Sequence, residues 1–262
     1  MMSTTQNEAL LFLAKEAALA AGREILAIYH DPLQDFGIEK KADNSPLTLA
    51  DKAAHQCILF HLQECTKIPV LSEEGKHLPF ETRCTWDRLW IVDPLDGTKE
   101  FIKKNGEFTV NIALVEHGRP TLGVVYVPEQ DVLYYGIVGE GAWKQVGKEE
   151  PLPLPLPQQR DNFVVVASRS HMTPETEAHI EEMRKIHDNV ETISSGSSIK
   201  ICLVAEGSAD SYPRFAPTCE WDTAAGDAVA RAAGKSVVNV QTGDPLCYNK
   251  PDLLNPWFLV EG

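Results

Sequence analysis

Leu89-Trp90-Ile91-Val92-Asp93-Pro94-Leu95-Asp96-Gly97-Thr98 is the stretch on which the reading of this 262-residue chain turns. Four apolar residues have the length and composition of a buried strand. Two carboxylates three positions apart follow, separated by a proline that restricts the turn. Both acids can then face one point beyond the strand end. Hard cations such as Mg²⁺ take oxygen ligands and share them with phosphate. Gly97 lets backbone N–H groups approach an anion where the chain begins a helix. Helix capping alone would explain one aspartate, but not two acids with a proline, a glycine and a threonine. The segment reads as a place where metal and phosphate meet.

Three further acidic elements stand out. Glu73-Glu74 follows the short apolar strand Ile68-Pro69-Val70-Leu71 and can be a solvated turn or a second pair of ligands at the same sheet edge. Asp222, in Trp221-Asp222-Thr223-Ala224-Ala225-Gly226, precedes a helix of small residues and can be a simple N-cap or a ligand. Asp51, in Thr48-Leu49-Ala50-Asp51, resembles a capping box or can orient an attacking water. The run Ser194-Ser195-Gly196-Ser197-Ser198-Ile199-Lys200 opens a helix. Its hydroxyls and amides can hold a ribose or phosphate oxygen, or can be a plain serine-rich cap. It lacks the spacing of a Walker A loop. Arg214, in Tyr212-Pro213-Arg214-Phe215, is the cation lying shortly before Asp222.

Hydrophobic periodicity predicts an alternating α/β chain. Helices are expected over 7–29, 48–65, 174–187, 197–206 and 222–233. Strands are expected over 68–71, 89–92, 108–115, 121–127, 132–138, 142–144, 163–167, 190–194 and 209–212, with more at the C-terminus. A polar loop is expected up to Ser45-Pro46. Pro151-Leu152-Pro153-Leu154-Pro155-Leu156-Pro157 cannot be a central strand or a helix interior. It reads as an extended connector between two halves rather than as a proline-recognition motif.

The charge narrows the partners. Against 24 Lys and Arg stand 38 Asp and Glu, a net charge of −14. Such a surface repels nucleic acid polymers and anionic membranes, so an anionic substrate requires bound cations that reverse the local field. The six cysteines form no Cys-x-x-Cys pair and the histidines no His-Glu-x-x-His pattern, which removes zinc-ribbon and thioredoxin readings. Packed, reduced thiols are expected. The apolar run at residues 9–14 is interrupted by Lys15 and Glu16 and is neither a signal peptide nor a membrane span.

Glu73-Glu74, Asp93 to Thr98 and Trp221 to Gly226, in this order and spacing, resemble the three signatures of the inositol monophosphatase superfamily of Mg²⁺-dependent, lithium-sensitive phosphatases. Further stretches are similar to its CysQ-type 3′(2′),5′-bisphosphate nucleotidases. These are residues 41–46, 96–102, 105–111, Ser168-Arg169-Ser170-His171 and 212–215. The resemblance implies a five-layer αβαβα sandwich of the inositol monophosphatase and fructose-1,6-bisphosphatase type. It implies an N-terminal half over 1–150 with most metal ligands, a Pro-rich connector over 151–160, and a C-terminal half over 161–262 with Asp222 and the specificity loops.

The resemblance also implies two Mg²⁺ ions per site, with a third in some relatives. Glu73, Asp93 and the Leu95 carbonyl match ligands of the first ion. Asp93, Asp96 and Asp222 match those of the second. Asp51 and Thr98 match the pair that orients the nucleophilic water. Substrate contacts are expected from Glu73, Leu95, Asp96, Gly97, Thr98, Ser197, Ser198, Lys200, Arg214 and Asp222. Inositol phosphatases carry a glutamate near the position of Arg214, and a cation there suits the second phosphate of a nucleotide. Glu220 departs from the CysQ type, where that place is uncharged.

The implied activity is removal of the 3′-phosphate of adenosine 3′,5′-bisphosphate to give AMP, with action on the sulfated precursor as an extension. Relatives are cytoplasmic, some at the inner face of the membrane. A broad inositol or sugar monophosphatase, and a non-catalytic metal- or nucleotide-binding regulator, are the competing readings.

Overall fold

The computed structural model describes residues 4–33, 36–40, 46–76, 78–168 and 172–262. The 41–45 portion of the similar stretches, and Arg169, Ser170 and His171, lie outside the described residues.

The first part of the chain runs α1 (Thr4–Tyr29), β1 (Glu39–Lys40), β2 (Pro46–Leu47), α2 (Leu49–Cys65), β3 (Val70–Ser72), α3 (Phe80–Arg83), β4 (Arg88–Asp96) and α4 (Thr98–Ile102). A meander follows: β5 (Thr109–Glu116), β6 (Arg119–Val127), β7 (Val132–Ile137), β8 (Gly141–Val146) and β9 (Leu152–Pro153). The remainder is β10 (Phe163–Ser168), α5 (Pro174–Ile186), β11 (Val190–Ser195), α6 (Ile199–Glu206), β12 (Ser211–Arg214), α7 (Glu220–Ala232), β13 (Ser236–Asn239) and β14 (Phe258–Glu261).

Seven strands form one sheet in the order β3-β4-β5-β6-β7-β8-β9, and five form another, β11-β10-β12-β14-β13. The alternation of β4 to β7 sorts side chains onto two faces, because successive Cβ atoms point opposite ways. Trp90, Val92, Ile112, Leu114, Val124 and Tyr126 pack with α1 and α2. Leu89, Ile91, Ala113, Val115, Val125 and Val127 pack with α6, α7 and the second sheet. α5 covers that sheet's outer face through β11 and β12. The layers are therefore α1/α2, seven strands, α6/α7, five strands and α5. Strand β4, covered on both faces, is apolar over residues 89–92 rather than alternating. Each of its large buried side chains contributes roughly 1.5–3 kcal/mol.

α7 sits close against the seven-stranded sheet. A Cβ on Gly123 of β6 would stand 2.3 Å from the Ala225 carbonyl oxygen. The small residues of α7 thus serve packing against a sheet, one of the two uses that their size allows.

Several sequence expectations are corrected here. The strand expected to stop at Val92 continues through Asp96, with a register shift against β5 between Asp93 and Asp96. A bulge of this kind re-aims side chains while keeping the backbone paired, so the two acids belong to a strand end rather than to a free turn. The expected loop up to residue 46 ends in the small β1–β2 pairing. Helix α7 begins at Glu220, so Asp222 is the third helical residue and not the N-cap. The proline-rich segment, expected to be extended, is strand only at Leu152–Pro153 and bends at residues 154–155. Its start pairs with the edge of the first sheet as β9, and Leu156 N–H donates to Glu206 O at 2.9 Å.

Candidate active site

The acids come together from three elements. β3 and β4 run parallel, with Ser72 beside Val92, and Glu73 N–H donates to Val92 O at 3.1 Å. Glu73 therefore leaves β3 next to Asp93 at the same end of the sheet. The first turn of α7 brings Asp222. Carboxylate oxygens of Asp93, Asp96 and Asp222 lie within 4.8 Å of one another, and the Glu73 side chain hydrogen-bonds Asp93. Burial, then the charges of Glu73, Asp96 and Asp222, hold the Asp93 carboxyl well above the usual carboxylate range. Burial and then Asp96 push Asp222 up to about 8.

These shifts test whether a cation fits. Each like-charged pair at such a distance costs about 3 kcal/mol at an effective dielectric near 20. Three such pairs would rival the stability of a whole domain. Four carboxylates held together, all hard oxygen donors, match a hard divalent ion. Among the described residues this is the cluster of three or more potential ligands. The Leu95 carbonyl belongs to the same strand end, where Leu95 N–H donates to Asp93 Oδ1 at 3.1 Å.

Asp51 does two things at once. Its Oδ2 accepts the Thr48 N–H and the Thr48 hydroxyl, both at 2.6 Å, which completes the capping box of α2. Its Oδ1 accepts the Thr98 hydroxyl at 3.2 Å. The two alternatives open in the sequence use different oxygens of one buried carboxylate. Gly97, before Thr98, has φ +89° and caps α4. A Cβ there would meet the Glu107 carbonyl at 3.0 Å and Ser197 Cβ at 3.3 Å.

The serine loop seats against the acids through backbone. Ser198 N–H donates to Asp96 Oδ2 at 2.6 Å, and the Ser198 hydroxyl sits between Thr109 Oγ1 (2.8 Å) and Asn111 Oδ1 (2.7 Å). That hydroxyl, expected to face substrate, is enclosed by β5. Lys200 is also buried rather than solvated, with Nζ donating to Ser197 O at 2.5 Å and Ser195 O at 3.2 Å. Burial pulls it down to about 8, with the Asp96 charge opposing. Ser197 has φ +44°, and its buried Oγ has no hydrogen-bond partner. Arg214 Nη2 donates to Pro217 O at 3.1 Å, while its buried Nε has no partner.

A cavity of about 340 Å³ joins these groups, within the size range of small-molecule sites. Asp96, Gly97, Thr98, Ser197, Ser198, Lys200, Arg214 and Asp222 line it, together with Glu100, Ser168, Tyr212, Thr218 and Phe258. Glu73, Asp93 and Asp51 lie behind the lining. Sequence reasoning missed several participants. Thr109 and Asn111 fall in the similar stretch 105–111 but carry no site role in the sequence reading, and their alternation onto one face of β5 is the available signal. His55 was also missed. It lies one helical turn after Asp51, and its Nδ1 is 3.0 Å from Ser72 Oγ, just before Glu73.

The inositol monophosphatase family model matches residues 6–257. The chain belongs to the inositol monophosphatase family. It is 50% identical over 250 residues to the 3′(2′),5′-bisphosphate nucleotidase CysQ of Escherichia coli O6:H1, covering 94% of this chain and 96% of the relative. The CysQ of Salmonella typhimurium is 49% identical over the same shares. The crystal structure of CysQ from Bacteroides thetaiotaomicron superposes with a TM-score of 0.89 at 58% identity, covering 97% of each chain. The layered sandwich expected from the sequence is the fold of these relatives. No helix among the described residues is long and apolar enough to cross a membrane.

Proposed function

We propose that this chain is a metal-dependent 3′(2′),5′-bisphosphate nucleotidase that hydrolyses the 3′-phosphate of a nucleoside 3′,5′-bisphosphate, adenosine 3′,5′-bisphosphate being the expected member. The names of its relatives support this reading. The observation that carries it is a cavity lined by both signs of charge: the carboxylates of Asp96 and Asp222, and the cations Lys200 and Arg214. A polyol monophosphate has no second anion for those cations; a bisphosphorylated nucleotide does.

Glu73, Asp93, the Leu95 carbonyl, Asp96 and Asp222 would hold two Mg²⁺ ions. Bound there, divalent ions lower the pKa of a water and stabilise negative charge on the leaving oxygen. The chain's own groups do the rest. The Thr98 hydroxyl donates to Asp51 Oδ1, which leaves its lone pairs to accept a hydrogen bond from the attacking water and fixes that water's direction; as the water's proton passes to Thr98, the Thr98 proton would pass to Asp51. Backbone N–H groups of Gly97 and Thr98 would hold equatorial phosphate oxygens. Arg214 would bind the distal 5′-phosphate, with the Ser197 hydroxyl as a further donor. Lys200 would act mainly by holding the 195–197 backbone and by its charge. The sulfated analogue fits the same reading, since its extension departs from the 5′ end.

The test compares turnover of adenosine 3′,5′-bisphosphate with that of inositol 1-phosphate at saturating Mg²⁺, for wild type and Arg214→Ala. Wild type should prefer the nucleotide by orders of magnitude in kcat/KM. The variant should lose far more on the bisphosphate than on a simple 3′-monophosphate. Equal losses on both would remove Arg214 from the 5′-phosphate role.

A further inference from the structure

Glu220 is wholly buried, yet it faces away from the cavity. Its Oε2 accepts Asn249 N–H at 2.6 Å, and its Oε1 accepts Lys250 N–H at 3.0 Å and Lys250 Nζ at 2.5 Å. Asn249 continues the connection. Its Oδ1 accepts Arg83 Nη1 at 2.7 Å and its Nδ2 donates to Arg83 O at 2.8 Å. Arg83, itself buried, donates through Nε to Leu78 O at 3.0 Å and through Nη2 to Lys250 O at 3.1 Å. Leu78 belongs to the loop that leaves Glu73. Glu220 stands two residues before Asp222 in the first turn of α7. A series of hydrogen bonds thus runs behind the site from Leu78, five residues after Glu73, through Arg83, Asn249 and Glu220 to the first turn of the Asp222 helix.

We infer that Asn249, with Arg83 and Glu220, is a positioning group that sets Glu73 and Asp222 at the spacing a divalent ion requires. The inference rests on the reading of those two acids as metal ligands. Glu73 follows a strand of the seven-stranded sheet, whereas Asp222 lies on α7 between the two sheets. Their charges repel each other and Asp93. Packing of α7 on the seven-stranded sheet holds the two acids near each other, and the polar tie behind them adds a directional constraint that apolar packing lacks. A buried ion pair adds little net stability, but a fully satisfied polar network confers rigidity. Partners that orient metal ligands from behind typically set metal affinity by 10- to 100-fold.

The test uses the full chain carrying Asn249→Gly. Asn249 has φ +60°, which glycine adopts without strain, so the turn persists while both Arg83 contacts vanish. Mn²⁺ binding to the metal-free protein is measured by calorimetry, alongside circular dichroism, Tm, and nucleotide KM at saturating metal. The expected result is Mn²⁺ affinity weakened about tenfold, with a native spectrum and KM within about twofold of wild type. A lowered Tm with unchanged Mn²⁺ affinity, or a changed KM with unchanged affinity, would overturn the inference. If Asn249→Gly fails to fold, Glu220→Gln, which keeps an acceptor for one of the two backbone N–H groups, is judged by the same two outcomes. A wild-type chain that binds no Mn²⁺ would instead refute the metal reading of the site, a result distinct from wild type and variant binding equally well.

Discussion

Asp51 offers a sharp test of the site because its two oxygens have separable duties. Asp51→Asn keeps size and shape. The Thr48 N–H and hydroxyl, both 2.6 Å from Oδ2, require an acceptor, so the amide oxygen turns towards Thr48 and the amide NH₂ towards Thr98. The Thr98 hydroxyl can then no longer donate to position 51. It must donate to Leu95 O, 3.4 Å away, which turns its lone pairs away from the water. Loss of a positioned proton acceptor is worth about 10²–10⁴ in rate; we expect about 10²–10³ in kcat, or roughly 3–4 kcal/mol. The stability cost should be only about 1 kcal/mol, since the cap survives with a neutral acceptor. Thr98→Val removes the hydroxyl directly and leaves the capping box intact. It should lose a similar factor in kcat with almost no change in Tm. Two residues that act as one unit do not add, so the double variant should be hardly slower than either single one. The assay is phosphate release at saturating Mg²⁺, paired with thermal unfolding. Asp51→Asn within threefold of wild-type kcat, or rate losses that multiply in the double variant, would refute the pairing and leave Asp51 as a cap alone.

Asp93→Asn should lower kcat by orders of magnitude while raising the metal-free Tm, because it removes a buried charge repelled by Glu73, Asp96 and Asp222; near-wild-type activity would sink the metal assignment. A carboxyl raised to about 8 in the fold, as Asp222 is, binds its proton more tightly there than in the unfolded chain. Its stabilisation is complete below the ordinary carboxylate range and is lost as pH rises through about 8. Metal-free Tm should therefore fall between pH 5 and 8, and saturating Mg²⁺ should abolish that fall, as scanning calorimetry at several pH values would show. A metal-free Tm that rises over this window would contradict the electrostatics of the cluster. Gly196→Ala should raise KM about tenfold or more, because its Cβ would stand 2.7 Å from the Glu107 carbonyl oxygen and force the serine loop away from Asp96; steady-state kinetics showing an unchanged KM would remove that contact from substrate binding.

The alternation of apolar and polar stretches was enough to place the longer helices and strands, which carry clear periods, but not the short β1, β2, α3 and β9. What the sequence concealed was aim. Asp93-Pro94-Leu95-Asp96 contains a proline and two acids, the composition of a turn, yet it remains in the sheet because β5 pairs with it on both sides of a bulge. Ser198 and Lys200 carry groups that suit a phosphate, but local residues cannot reveal that β5 encloses one and that carbonyls of the same loop take the other. Arg214 showed in the sequence as a cation near Asp222 suited to a second phosphate; its place on the cavity wall is a property of the fold. His55 gave no motif at all, and Thr109 and Asn111 gave only the similar stretch 105–111 with no role attached. Their contributions arise from register between elements that lie far apart in sequence.

The charges around the cavity also constrain the order of binding. Without a divalent ion the site holds clustered carboxylates within a chain of net charge −14, and a phosphate approaching Asp96 and Asp222 would meet their charge. Lys200 and Arg214 cannot neutralise both, since Lys200 Nζ is occupied by two carbonyls and its charge already faces Asp96. On the proposed reading Arg214 would hold a 5′-phosphate without metal, whereas a 3′-phosphate beside the acids would be repelled until metal arrives. The Ser198 N–H bond to Asp96 Oδ2 ties these events together, because metal that draws on the Asp96 carboxylate also acts on the loop carrying Ser197 and Lys200. Metal should therefore sharpen affinity for the bisphosphate much more than for a 5′-monophosphate, a coupling that must appear equally in the metal's own affinity when nucleotide is bound. Calorimetric titration of Mn²⁺ with and without adenosine 3′,5′-bisphosphate, using protein inactivated by Thr98→Val, measures both sides of that relation. Equal metal affinity in the two titrations would mean that metal and nucleotide bind independently.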